Sequence, residues 1–372
     1  MKRSKFLVVA CCIFILGLWG NAIPADPIKV GMALPMTGPG SMMGRDMRDG
    51  ATLAADKFNA SGGLNGQKIE IIVMDEKNQP TTALNVAKKL IYQDKVFCLG
   101  TNYSPPSIAV IPLTKETETP HFISGVAQKI LEMDNPWIFR STPSDKVLAG
   151  QYVNFAMKNL NLKKLAILNE STDYGKGGRN DLIDKMKEYN TQPLIVESYN
   201  LGDKDFAAQL NKIKNAGPDG LFIWGLYVEG AQIMRQAKQL GLNMPILASS
   251  GVLQGAFFEL AGKDAEGMYL ETYFFAKNPA PQVQTFVKEY TEKFKYEPQP
   301  GAGIAYDAMT MLINGLKKVG APDKYKVMKE IRASRFNGVI GRQECDNVGQ
   351  CGRSAIILQV KNGAPGVVWS SD

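Results

Sequence analysis

The chain has 372 residues, of which 45% are hydrophobic and 21% are charged. This is the composition of an ordinary globular protein, and the chain is long enough to form two hydrophobic cores. The formal net charge is +7, but three of the 43 basic residues are Lys2, Arg3 and Lys5, which leaves 40 basic against 36 acidic residues, or +4, in the remainder. An excess this small, without a basic run, argues against nucleic-acid binding and gives no support for binding to an anionic membrane surface.

The first 25 residues have the three parts of a secretory signal peptide. Basic residues precede an apolar stretch at 6–19, and small residues follow it at 22–25. The apolar stretch is shorter than the ~20 residues of a membrane-spanning helix. We therefore expect cleavage after Ala25, with Ala22 as the alternative, and a mature protein in the periplasm. Cys11 lies in a lipobox-like context, but most of the apolar stretch follows it, which disfavours lipid anchoring.

Strand-like apolar runs alternate with helical patterns along most of the remaining chain. Strands are predicted at 28–34, 68–74, 96–99, 121–124, 164–169, 194–198, 220–224 and 246–249. Helices are predicted at 45–59, 81–93, 107–117, 177–189, 206–216 and 229–240. Beyond residue 272, helical patterns at 282–294, 303–318 and 324–333 precede a tail of strands at 338–369 with a hairpin turn at 361–363.

This alternation of strands and helices predicts an α/β fold with parallel sheets and right-handed crossovers. A polar, turn-rich break at 139–145 divides the strands into two series, so we expect two doubly wound lobes. A ligand of such sheets binds beyond the carboxyl ends of the strands. The sequence therefore predicts a cleft where the ends of two sheets face each other.

Three cysteines lie beyond the predicted signal peptide. Cys98 lies in an apolar strand pattern, which is typical of a buried free thiol. Cys345 and Cys351 enclose a polar loop, and in an oxidising compartment this spacing predicts a local disulfide. No histidine lies near this pair in the sequence, which argues against a zinc site.

Catalytic and cofactor motifs are missing from the sequence. The one histidine, His121, lies in a strand pattern and has no marked partner for nucleophilic catalysis. No histidine or cysteine cluster has metal-ligand spacing, and there is no phosphate-binding loop. The glycines at 38–44 match a dinucleotide fingerprint poorly, because the third glycine comes one residue late. We expect a protein that is not an enzyme and holds no metal or cofactor.

Several segments, in a consistent order over nearly the whole mature chain, resemble the type I periplasmic binding proteins. The leucine/isoleucine/valine-binding branch is the most similar. These segments are 29–39, 59–70 with Asp75 and Pro80, 100–104, 166–169 with Tyr174 and Gly175, 235–241, and 265–268.

The resemblance implies two lobes joined by three crossover segments that enclose a ligand between them. The first lobe would comprise 27–142 and 274–338, and the second 143–273 and 339–372. It also implies the solute-binding component of an ABC importer, which acts as a monomer, delivers a small molecule to membrane permease subunits and uses no cofactor.

The resemblance places a carboxylate-binding serine of the family at Ser104. A helix N-terminus suits an anion, but Pro105 and Pro106 follow and have no N–H to offer. The alternative role for Ser104 is that of a simple helix cap. In the facing loop, Ala127 and Gln128 stand where family members often carry a threonine.

The second lobe would contribute Tyr174, which matches a family aromatic residue that covers the ligand, and Tyr227, which follows another strand. The acidic residue that binds the ligand ammonium in the family is replaced here by Ser250. A buried ammonium without a counter-charge is costly. Either a nearby acid substitutes, with Glu170, Asp173 and Glu229 as candidates, or the ligand has no ammonium group.

The remaining candidate ligand contacts are Met43, which aligns with a side-wall aromatic residue and could equally fill the core, together with Asn102, Tyr103 and Phe274. Three functions remain open from the sequence. The chain binds a branched-chain or other hydrophobic amino acid, or an ammonium-free carboxylate or amide, or it serves as a ligand-sensing receptor domain.

Overall fold

The computed structural model describes residues 26–38, 40–253 and 257–371. The predicted signal peptide and the alternative lipidation site at Cys11 lie outside these residues. The strands are β1 (Ile28–Leu34), β2 (Ile69–Asp75), β3 (Cys98–Thr101), β4 (His121–Ile123), β5 (Ile138–Phe139), β6 (Leu165–Glu170), β7 (Ile195–Tyr199), β8 (Gly220–Trp224), β9 (Ile246–Ala248), β10 (Tyr269–Thr272), β11 (Arg335–Gly338), β12 (Gly341–Glu344), β13 (Ile356–Lys361) and β14 (Ala364–Ser370).

The helices are α1 (Ser41–Ala60), α2 (Pro80–Lys88), α3 (Ser104–Glu116), α4 (Lys129–Glu132), α5 (Asp145–Lys158), α6 (Asp173–Lys187), α7 (Ala207–Ala216), α8 (Tyr227–Gln239), α9 (Phe257–Ala261), α10 (Pro281–Phe294), α11 (Pro300–Val319) and α12 (Lys324–Arg332). A single π-helical turn at Lys89–Gln93 extends α2. Within the described part of the chain, no helix has both the length and the apolar composition needed to cross a bilayer.

The first lobe is built on a five-stranded parallel sheet with the order β2-β1-β3-β4-β5. The helices α1 and α11 cover one face, and α2 and α3 pack on the other. The α1 and α11 backbones approach closely at Gly50, where a Cβ atom would lie 2.1 Å from the carbonyl oxygen of Ala302. Only glycine allows this contact, so Gly50 sets the spacing of the two helices.

The second lobe is built on a seven-stranded sheet with the order β14-β13-β10-β9-β8-β6-β7. The strands from β10 to β7 are parallel, and β13 and β14 form an antiparallel hairpin at the other edge. All five residues of β8 are buried, because α7, α8 and α9 cover one face and α5 and α6 cover the other. The predicted α/β class with two doubly wound sheets is confirmed.

The chain crosses between the lobes at 140–144, 273–280 and 345–355. The first and third crossovers run side by side, since the Arg140 N–H donates to the Gly349 carbonyl (2.8 Å) and the Cys351 N–H donates to the Arg140 carbonyl (2.9 Å). The third crossover contains a disulfide between Cys345 and Cys351. Together these three segments form the hinge.

The predicted lobe boundary between residues 338 and 339 falls inside the β11–β12 hairpin. Val339 and Ile340, at the tip of this hairpin, pack in one cluster with Phe286 and Ile304 of α10 and α11. The hairpin therefore packs as a unit against the helices of the first lobe, and a boundary after β12 fits this packing better.

Candidate ligand-binding cleft

The predicted site residues follow the carboxyl ends of strands in both sheets. In the first sheet, the segments at 102–104 and 124–128 follow β3 and β4. In the second, Tyr174 follows β6, Tyr227 follows β8 and Ser250 follows β9. Because the strands within each set are parallel, these segments gather at one edge of each sheet.

Ser104 and the facing loop are in direct contact. The Ala127 N–H donates to Ser104 Oγ at 3.1 Å. The side chain of Asn102 joins the same two segments, since its Oδ1 accepts from the Ser124 hydroxyl at 2.6 Å. The Ser104 hydroxyl makes no capping bond within α3, whose cap position is taken by Tyr103 with φ 35°. The structure therefore brings Asn102, Ser104 and Ala127 together and does not support the simple capping role.

Arg140, which was not predicted from the sequence, holds the loop at 124–128. The side chain is 1% exposed, and its Nη1 donates to the carbonyls of Gly125 (3.0 Å) and Ala127 (3.2 Å). Its Nε donates to Gln350 Oε1 at 2.7 Å in the third crossover. Burial lowers the pKa of Arg140 to about 10, so the group stays cationic at neutral pH. The sequence feature that could have pointed to Arg140 is its position directly after β5, at the polar break.

Tyr174 lies on the opposite lobe in the first turn of α6. Its hydroxyl donates to Ser249 Oγ at 3.2 Å, and its ring lies 6.3 Å from that of Trp224. A Cβ atom at Gly251 would lie 2.7 Å from the Tyr174 hydroxyl. Tyr174 therefore covers the turn that contains Ser250. Burial raises the pKa of Tyr174 well above its usual value, so the phenol remains a neutral donor.

Of the acids considered as substitutes at position 250, Glu229 and Glu170 each make a hydrogen bond within their own lobe, and Glu170 Oε2 has no partner among the described residues. Glu229 Oε1 accepts from the Gly202 N–H at 2.8 Å, and Glu170 accepts from the Thr172 hydroxyl. Both residues are buried. The side chain of Asp173 lies outside the described part of the structure. Neither glutamate faces the cavity described next.

A cavity of about 350 Å³ lies at the hinge end of the cleft. Its walls come from both lobes and from the second crossover, and they include four predicted residues, Met43, Tyr103, Ser250 and Phe274. The volume lies within the ~300–1,000 Å³ range of small-molecule pockets. Asn102, Ser104, Ala127, Gln128, Tyr174 and Tyr227 do not line it. Because Tyr103 precedes Ser104 and Ser250 lies under Tyr174, the cavity adjoins both groups of residues.

Two predicted residues have positions that limit their role. Gln128 is exposed at the start of α4, away from the cavity. Phe274 lines the cavity but is 3% exposed and packs against Phe286 at a ring separation of 6.0 Å, so it also anchors the core of the first lobe. Three residues of the lining, Asp46, Phe257 and Phe258, were not predicted, because no local sequence pattern distinguishes them from core residues.

His121 lies in the core of the first lobe. Its Nε2 lies 2.8 Å from Thr101 Oγ1, and its Nδ1 lies 3.2 Å from Thr114 Oγ1. Burial lowers the pKa of His121 to about 3, so the ring is neutral at physiological pH. Among the described residues, no group of three or more histidine, cysteine or acidic side chains is arranged to hold a metal ion.

The chain is similar to known proteins over most of its length. The periplasmic binding protein family model matches residues 27–365. The leucine-, isoleucine-, valine-, threonine- and alanine-binding protein of Pseudomonas aeruginosa is 30% identical, and the match covers 90% of each chain.

Two solved structures are also similar. A leucine binding protein from Thermotoga maritima is 30% identical, with a TM-score of 0.77, and the match covers 92% of this chain and 98% of that one. A branched-chain amino acid transporter substrate binding protein from Streptococcus pneumoniae, in complex with isoleucine, is 25% identical, with a TM-score of 0.76 and the same coverage. With two parallel sheets, a cleft at their carboxyl ends and a family match over residues 27–365, this chain belongs to the type I periplasmic binding proteins.

Proposed function

We propose that this chain is the extracytoplasmic solute-binding component of an ABC importer and that it binds a branched-chain or other hydrophobic amino acid between its lobes. The relatives named above bind such amino acids. The family is a class of binding proteins rather than enzymes, and it acts outside the cytoplasm. The bound molecule would then be passed unchanged to membrane permease subunits by a monomeric receptor in the periplasm.

The contact between Ser104 and Ala127 is the observation that carries this proposal. It holds two loops of the first lobe together at the edge of the sheet. A hydroxyl can accept one hydrogen bond and still donate another, so Ser104 can donate to a ligand carboxylate while it accepts from Ala127. Tyr174 and Ser250 would cover the ligand from the second lobe, and the adjoining cavity would receive part of the ligand.

An ammonium-free carboxylate or amide is the second candidate ligand. The observation that favours it is the serine at position 250, combined with the absence of Glu170 and Glu229 from the described lining of the cavity. Leucine and 4-methylpentanoate, which has the same carbon skeleton without the ammonium group, distinguish the two candidates. Binding to the folded state raises the midpoint of thermal unfolding, so a thermal-shift screen ranks the probes directly.

Replacement of Ser104 tests the carboxylate site. We expect Ser104→Ala to weaken binding of leucine at least tenfold in calorimetry, because a hydrogen bond to a charged group contributes about 1.5–3 kcal/mol. The control is Asp323→Ala, which removes a helix cap at the start of α12, far from the cleft, where Asp323 accepts from the Lys326 N–H at 3.0 Å. This control should lower stability without changing affinity. Unchanged affinity in Ser104→Ala would contradict the assigned role.

A further inference from the structure

The cavity at the hinge end of the cleft contains a buried carboxyl group with a free acceptor. Asp46, in α1, is 1% exposed and lines the cavity, and its Oδ1 has no hydrogen-bond partner among the described residues. Burial raises the pKa of Asp46 to about 6, and the charge of Arg45 and the hydroxyl of Tyr296 act in the opposite direction. A buried acceptor that lacks a partner is costly unless a ligand satisfies it.

The lining around Asp46 suits a cation. Among the described residues, the lining contains two acids, Asp46 and Glu297, and no lysine, arginine or histidine. It also contains six aromatic rings, those of Tyr103, Phe257, Phe258, Tyr273, Phe274 and Phe275. Aromatic faces attract cationic groups through their quadrupoles, and this attraction is stronger where water is excluded.

Other acids with free oxygens lie outside the lining. Glu271, within β10, is fully buried and has no partner for either carboxylate oxygen within the described structure. It lies close to Asp145 and Tyr174, but neither Glu271 nor Glu170 lines the cavity. Of the buried acids with an unpartnered oxygen among the described residues, Asp46 is the one that lines the cavity.

We propose that the ligand places a cationic group, the ammonium group in the case of an amino acid, against Asp46 in this cavity. This inference rests on the proposed function, because it takes the cleft as the ligand site. Helix α1 would then supply the counter-charge that Ser250 lacks. Both charged ends of the ligand would be held by the first lobe, and the second lobe would close over a molecule that is already oriented.

Two sets of matched probes test the role of Asp46. The first set is leucine, 4-methylpentanoate without the ammonium group, and 3-methylbutylamine without the carboxylate. The second set is phenylalanine, 3-phenylpropanoate and 2-phenylethylamine. Affinities are measured by calorimetry for the wild type, for Asp46→Asn and for the control Asp49→Asn. Asp49 lies one turn along α1 and is also buried, at 4% exposure, but it bonds to Arg48 and Tyr296 and does not line the cavity.

We expect Asp46→Asn to weaken binding of the amino acid and of the amine at least tenfold, while the affinity for the matching carboxylate changes less than twofold. Asp49→Asn should leave the ratios among the three probes unchanged. The inference is wrong if Asp46→Asn keeps wild-type affinity for the amino acid, or if Glu271→Gln produces the selective loss instead.

Wild-type protein that binds the carboxylate as tightly as the amino acid would also overturn the inference while leaving a solute-binding function intact. By contrast, if no amino acid, carboxylate or amide raises the unfolding temperature of the wild type, the proposed function itself fails. The two failures are therefore distinguishable.

Discussion

At the residue scale, the contacts around Arg140 bear on the electrostatics of the proposed carboxylate site. Its guanidinium donates to the carbonyls of Gly125 and Ala127, whose peptide groups carry the N–H donors of Val126 and Gln128. Hydrogen bonds in a chain polarise one another, so a cation on these carbonyls makes the N–H groups that follow better donors to an anion. Under the proposed function, Arg140 would act on a ligand carboxylate through the loop rather than by contact.

Replacement of Arg140 by lysine separates geometry from charge. We expect Arg140→Lys to lower the free energy of unfolding by about 1–3 kcal/mol, because a lysine cannot bond Gln350 and both carbonyls in a fixed fork. Ligand affinity should fall as well. Urea unfolding and calorimetry measure the two effects. The control is Arg335→Lys, whose side chain is 79% exposed. Wild-type stability and affinity in Arg140→Lys would show that the hydrogen bonds of the guanidinium group are dispensable.

The sequence carried partial information about these residues. The family resemblance indicated Ser104 and Tyr174 as candidates, and the apolar pattern predicted the strands that precede them. Asp46 could not be predicted, since its position in a predicted helix does not show that residues 273–276 and 297–300 meet it in three dimensions. The same holds for Gln350, which reaches Arg140 across 210 positions of sequence.

At the element scale, α11 is joined to the β11–β12 hairpin through one buried carboxylate. Asp307 accepts from the N–H groups of Val339 and Ile340, both at 3.0 Å. A Cβ atom at Gly338 would lie 2.1 Å from Asp307 Oδ2, so only glycine fits there. Burial raises the pKa of Asp307 to about 7 although both amides oppose the shift.

The raised pKa of Asp307 predicts a dependence of stability on pH. The folded chain binds this proton more tightly than the unfolded chain, so the contribution of Asp307 to stability is greatest below about pH 4 and falls as the pH rises to about 7. Between pH 5 and pH 8, we expect the free energy of unfolding to fall by about 2.5 kcal/mol more in the wild type than in Asp307→Asn. Urea unfolding at the two pH values measures this difference.

The difference between the wild type and Asp307→Asn isolates the contribution of Asp307 for two reasons. Glu76 and Asp145 also have pKa values raised to about 7 by burial, but they are present in both proteins and cancel. Asp323→Asn serves as the control, because the hydrogen bond from the Lys326 N–H lowers the pKa of the partly exposed Asp323, which is therefore ionised at both pH values. An equal change in the free energy of unfolding of the wild type and of Asp307→Asn would show that Asp307 does not cause the dependence on pH.

Most strands and helices could be predicted, and the exceptions have physical reasons. Helix α5 was missed although Leu148, Tyr152 and Phe155 recur at helical spacing behind the Ser144 cap, because it directly follows the polar break. The two-residue strand β5 is too short to show a period. Strand β10 carries the buried Glu271, which interrupts the apolar pattern.

At the scale of the whole molecule, the hinge joins lobes that each have their own hydrophobic core. The first and third crossovers are bonded to each other, whereas the second passes beside the cavity. Closure of such a two-lobed protein requires dihedral changes at only a few residues of the crossovers, while the lobes move as rigid bodies. A ligand that contacts both lobes stabilises the closed arrangement, because it binds that state more tightly.

Small-angle X-ray scattering tests this expectation directly. Saturating leucine should reduce the radius of gyration of the wild type, since closure brings the two lobes together. Ser104→Ala, at the same leucine concentration, should keep the radius of the ligand-free protein, because it leaves the site unfilled. The free forms of the two proteins should scatter alike, which controls for any change in fold. If leucine binds to the wild type by calorimetry and the radius stays constant, then binding does not close the lobes, and the hinge has no part in recognition.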